Sequence, residues 1–176
     1  MSGRLQLIEQ KLLAIDSAGF QNLCDSYLSL REDEYSSFNR SGSQLGKKKT
    51  IVGTPDTFLR LAEHKLAYVE YTTQASSIVS KVKDDIDKCL DESKTNVNPK
   101  LIHKISVCLN SKLSVDEETQ IQQYAQDKKV SLELIGIDTL ALEIMSKYLL
   151  LSREFLGISM DTGQILPFGK FIKEYN

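Results

Sequence analysis

Cysteine is scarce in this chain of 176 residues: Cys24, Cys89 and Cys108 are odd in number, widely separated and form no C-x-x-C pair. That excludes a disulfide framework or a cysteine zinc cluster and predicts buried thiols in an intracellular protein. Histidine is scarcer still. His64 and His103 have no His, Cys or Glu partner at ligand spacing and no accompanying nucleophile motif, which argues against zinc and against a serine or cysteine triad. Gly42, Gly46 and Gly53 follow neither phosphate-cradle spacing, so ATP hydrolysis is not expected. No apolar run approaches the ~20 residues that span a bilayer, and no signal-peptide pattern is present. A soluble, cytoplasmic protein is the expectation, with no membrane partner. The formal net charge of −2 lacks the globally basic signature of a passive nucleic-acid coat, which leaves local charge to decide.

What is present begins with two helical patterns, Leu5 to Leu13 and Phe20 to Leu28, separated by a break at Gly19. Asn39 to Lys49 reads as a loop, in which Arg40, Lys47, Lys48 and Lys49 are unopposed by acids. Such a loop serves equally as a phosphate clamp or a solvated linker. Thr50–Val52, Thr57–Leu61 and Tyr68–Thr73 then favour three strands of an antiparallel meander, with a turn near Glu63-His64-Lys65. Ile78, Val82, Ile86 and Cys89 recur at helical intervals, and Asn96 to Pro99 breaks the chain.

Further on, Ile105 to Leu109 reads as a strand, and Ser114 with Glu117 as a capping box opening a helix to about Lys128. Val130 to Ile137 reads as another strand, and Asp138 as the N-cap of one long apolar helix reaching Leu150. The fold expected is an α/β sandwich with a mixed central sheet. We divide it into a single domain over 1–176 with a core at about 18–110, an αβα extension at about 111–157 and a docking tail at 158–176. The docking tail points to further domains of a larger protein or to a homo-oligomer.

Chemistry concentrates at Gly53-Thr54-Pro55-Asp56 and at Val69-Glu70-Tyr71-Thr72-Thr73-Gln74. Pro55 fixes φ at a turn and sets Asp56 at the sheet edge. Strand alternation turns Tyr68, Glu70 and Thr72 to one face. If the meander pairs as read, Asp56 and Glu70 meet, and two carboxylates suffice to hold Mg (or Mn), which prefers hard oxygen ligands. Thr-Pro-Asp is also an ordinary turn, and Glu70 could face solvent. A Glu within a run of Val, Tyr and Thr, however, is costly to cover without a partner. Gln74 could position water from the strand end or begin the next helix. The runs Glu32-Asp33-Glu34 and Asp84-Asp85-Asp87 read as solvated faces, with Glu34 the candidate for a second metal.

These residues resemble the PD-(D/E)XK nuclease superfamily, whose αβββαβ core follows the order read from Phe20 to Leu109. Similar Gly-x-Pro-Asp and Glu-Tyr-Thr-Thr-Gln runs occur in nuclease-type domains at the N-terminus of large bacterial NTPase and helical-repeat proteins, including antiphage defence proteins. The resemblance implies a restriction-endonuclease-like three-layer sandwich and a Mg-dependent endonuclease acting on double-stranded DNA, with Asp56 and Glu70 as its metal-binding acids. It also implies a lysine where this chain has Thr72. Lys81 is the expected replacement and Lys83 the competitor, although Lys81 could simply pair with Asp85 one helical turn on. A nuclease fold that has lost catalysis and serves for binding is the alternative.

Overall fold

A computed structural model describes residues 3–32, the backbone of 39–40, and residues 55–61 and 64–159. The first apolar stripe forms α1 (Gly3–Ala14), which buries Ile8 and Leu12. The chain restarts as α2 (Ser17–Arg31). The break falls at Ile15-Asp16 rather than at Gly19, because Asp16 caps α2 and accepts the Gly19 N–H at 2.7 Å. Gly19 lies in the first turn, where a Cβ would sit 2.9 Å from Ile15 Cγ1.

Among the described residues the sheet has five strands in sequence order: β1 (Asn39–Arg40), β2 (Thr57–Arg60), β3 (Leu66–Thr72), β4 (Ile102–Leu109) and β5 (Ser131–Ile135). β1, β2 and β3 pair antiparallel, whereas β3, β4 and β5 pair parallel, so the sheet is mixed. Asn39 and Arg40, read from sequence as loop, are an edge strand opposite Phe58 and Thr57. The strand expected at Thr50–Val52 and the loop from Ser41 to Lys49 lie outside the described residues.

Parallel neighbours need a crossover, and helices supply it. α3 (Ile78–Leu90) links β3 to β4, assisted by α4 (Glu92–Thr95) and a 3-10 turn at Pro99–Leu101. α5 (Val115–Asp127) links β4 to β5 and starts with the expected Ser114–Glu117 capping box. Both crossover helices pack on one face, against Tyr68, Ile105, Val107 and Leu109. α1 and α2 cover the opposite face, over Leu59, Val69, Cys108 and Ile135, together with α6 (Ile137–Ser146) and α7 (Leu149–Leu156). The result is an α/β sandwich of helix, sheet and helix layers, with the central strands buried on both sides. Burying side chains such as Ile86 and Leu23 is worth ~1.5–3 kcal/mol each.

The C-terminal helical region departs from expectation twice. α6 is capped by Gly136, so Asp138 sits in its first turn, where it holds Lys112 at 2.6 Å. The single long helix is two, broken at Lys147-Tyr148, where Tyr148 leaves helical geometry at φ −122° and ψ 45°. The break lets Tyr148 pack edge-on to Tyr27 at 5.6 Å and lets α7 turn back onto α2. Gly157 closes α7 in the left-handed conformation at φ 63°, and Ile158 is buried behind it. All three cysteines are buried and free.

Candidate active site

The antiparallel register of β2 and β3 sets Thr57 opposite Val69. Continued by one residue, it brings Asp56 opposite Glu70, on the face covered by α3. The two side chains share a hydrogen bond, and Asp56 Oδ2 also accepts the Tyr71 backbone N–H at 3.2 Å. Glu70 is 7% exposed. Burial, then the charges of Asp56 and Asp85, hold its carboxyl well above the usual range. Asp56 is raised as well, by burial above all, with the Tyr71 amide and the nearby Lys81 ammonium working the other way.

α3 adds a third carboxyl. Asp85 is 3% exposed and pairs with Lys81, one turn earlier, and with Lys88 at 3.3 Å. The acidic run at 84–87 is therefore not a uniformly solvated face. Its middle member turns inward, because Asp85 shares the buried stripe of Ile78, Val82, Ile86 and Cys89. That phase was readable in the sequence and is the signal that would have found it. Cys89 completes the cluster, its thiol donating to Glu70 Oε1 over 3.2 Å.

Of the residues singled out from sequence, the fold brings Asp56, Glu70 and Lys81 together. Lys83 points elsewhere, with its ammonium 5.2 Å from the centre of the Tyr124 ring on α5. Thr72 is buried, and its hydroxyl accepts the Gln74 N–H at 3.1 Å, so it terminates β3. Gln74 lies beyond the strand, exposed, with its amide turned to the Ser76 carbonyl. Thr72 thus shares the Glu70 face of β3, with its hydroxyl engaged at the strand end. Gly53, Thr54, Glu34, Lys47, Lys48, Lys49 and the Arg40 side chain lie outside the described residues.

Two carboxyls in hydrogen-bond contact must share a proton or a cation. Lys81 and Lys88 both pair with Asp85, so the cluster is neutral while Asp56 and Glu70 share a proton, and loss of that proton leaves one negative charge for a cation to balance. Hard oxygen donors suit Mg or Mn at that position. Among the described residues, no group of three or more His, Cys, Asp or Glu is arranged as a ready metal cage. Any ion held here would therefore rest on two protein carboxylates and complete its shell with water or phosphate oxygens. Among the described residues no helix is long and apolar enough to cross a membrane.

No family model matches the chain, and neither a curated protein nor a solved structure matches it.

Proposed function

We propose that the chain is a divalent-metal-dependent endonuclease domain of the PD-(D/E)XK type, hydrolysing DNA phosphodiester bonds. The observation that carries this is the contact between the Asp56 and Glu70 carboxyls beside the Lys81 ammonium, a pair that can exchange its shared proton for a cation. The order α2, β1, β2, β3, α3, β4, with an antiparallel meander followed by a parallel strand, supports the restriction-endonuclease-like core.

Asp56 and Glu70 would hold Mg or Mn, which when bound supplies charge neutralisation at the phosphate and activates water. Tyr71 N–H fixes the orientation of Asp56, and the Cys89 thiol that of Glu70. Lys81 takes the role expected of the lysine absent at Thr72, offering a charge to the phosphate as negative charge develops there. Asp85 orients that ammonium. Arg40, whose backbone pairs with Thr57 next to Asp56, opens in sequence the basic run of Lys47, Lys48 and Lys49. We assign the run to the DNA backbone.

A lapsed nuclease that binds without cutting is favoured by one observation, the pairing of Lys81 with Asp85, which already engages the only candidate lysine the described residues bring to the pair. The two are separated by incubating the full chain with plasmid and Mg or Mn. Cleavage that vanishes in Asp56→Ala and in Glu70→Ala supports the endonuclease. No cleavage above those controls, with DNA binding that needs no metal, supports the binding module instead.

A further inference from the structure

The face of β2 and β3 that carries the carboxyl pair continues away from it. After Asp56 and Glu70 come Phe58 opposite Tyr68 and then Arg60 opposite Leu66. Beside these last pairs opens a cavity of about 460 Å³, which also reaches Pro55, the neighbour of Asp56. Its size falls within the ~300–1,000 Å³ usual for small-ligand sites.

The lining divides by chemistry. Phe58 and Leu66, both half-buried, and the exposed Leu101 give the lining its apolar part, while Tyr68, 1% exposed, lies behind them in the core. Arg60, His64 and Lys65 contribute cationic or ionisable nitrogens, and among the described residues none of the lining is acidic. Asn96 and Asn98 add amides. The Asn98 carbonyl already accepts the Lys100 N–H at 3.0 Å, so its NH₂ remains as a donor. A partly exposed aromatic ring, two side-chain amides and positive charge in one cavity together suit a planar, polar-edged and anionic ligand. An unstacked nucleobase with its phosphate has those properties.

Position narrows the choice further. Phe58 lies two strand residues from Asp56, ~7 Å, which is the reach of a single nucleotide. We propose that this cavity seats one unstacked base of a DNA strand, with Arg60 and His64 holding a flanking phosphate and the neighbouring phosphate lying toward Asp56 and Glu70. The subsite rests on the endonuclease reading and gives it a substrate preference, for strands with an unpaired nucleotide beside the cut.

The test is binding of the full chain in EDTA, measured by anisotropy, to a labelled thymidine hexanucleotide and to a hexamer of the same sugar–phosphate backbone without bases. We expect the base-bearing strand to bind ~10-fold tighter or more, as one base stacked on aromatic side chains would give. Arg60→Ala should weaken binding of both strands. Leu101→Glu should reduce the difference between them. Arg60 is exposed and Leu101 is 42% exposed, so both variants should keep the wild-type melting temperature. Equal affinity for the two strands would overturn the subsite and leave the cleavage proposal standing. A base preference untouched by Leu101→Glu would also overturn it, by placing the base elsewhere. A preference reduced by Leu101→Glu, with binding of both strands weakened by Arg60→Ala, in a protein that does not cut plasmid with metal, would uphold the subsite and remove the endonuclease.

Discussion

The Cys89 thiol donates a hydrogen bond to the Glu70 carboxylate, with Sγ 3.2 Å from Oε1. This bond favours the charged form of Glu70 against burial and the neighbouring acids. The thiol in turn is pushed far up by burial and by Glu70, and so stays protonated. Cys89→Ala should therefore move the onset of Mn binding to higher pH, because Glu70 must lose its proton to bind the ion. Cys89→Ser should restore most of the shift. Calorimetric titration across pH checks this, and an unmoved onset in Cys89→Ala would show that Glu70 is not the ligand that deprotonates.

Glu70 and Asp56 are acids whose folded values lie above their unfolded ones. The fold thus holds their protons more tightly than the unfolded chain does. The stability this contributes is fully present below the unfolded carboxylate value of ~4 and is lost as pH rises from there through the raised folded value. Glu70→Gln keeps the shape and removes the buried charge. Without metal it should be more stable than wild type at neutral pH by about 1 kcal/mol, or ~2–4 °C in melting temperature for a domain of this size. The advantage should shrink as pH falls to about 5. Added Mg should reverse the order, since only the wild type binds it. Melting curves at several pH values, with EDTA or Mg, decide the matter.

Lys81 and Lys83 are two residues apart, yet α3 turns one toward Asp56 and Asp85 and the other toward Tyr124. If Lys81 meets the developing charge on the phosphate, Lys81→Ala should lower kcat by ~10²–10³-fold, the usual cost of one preorganised donor. Lys88 remains 3.3 Å from Asp85 to limit the structural damage. Lys83→Ala, which loses an exposed contact worth ~0.5–1 kcal/mol at most, should leave kcat unchanged. Equal effects of the two substitutions in a cleavage assay would argue against a specific role for Lys81.

Periodicity made the helices and inner strands legible because each has one continuous apolar stripe or run. Ile78, Val82, Ile86 and Cys89 marked α3, and the Ser114 capping box opened α5 where expected. Local signals failed where tertiary packing decides. Nothing in Lys147-Tyr148 breaks a helix by propensity, and the break follows from Tyr148 packing on Tyr27. Asp138 has the chemistry of a cap, but Gly136 takes that place, its neighbour Ile137 donating to the Ser111 carbonyl at 3.4 Å. In the candidate site, alternation along β3 was enough to orient Glu70. Asp85 was hidden among Asp84 and Asp87 because composition treats the three alike, and only helical phase separates them.

Tyr71 joins the two faces of the sheet and offers a way to separate architecture from chemistry. Its backbone N–H holds Asp56 on the α3 side, while its hydroxyl donates to Asp25 of α2 on the other. Thr57 also donates to Asp25, at 3.3 Å. Burial, then the Asp25 charge, keeps the phenol protonated well beyond its usual range. Tyr71→Phe removes the phenol donor to a buried carboxylate and should cost ~1–3 kcal/mol in stability, read from urea denaturation. The backbone contact to Asp56 survives the change. Metal affinity and cleavage below the melting transition should therefore stay near wild type. A loss of cleavage in a folded Tyr71→Phe would instead place the α2 side of the sheet, through Asp25, within the working site.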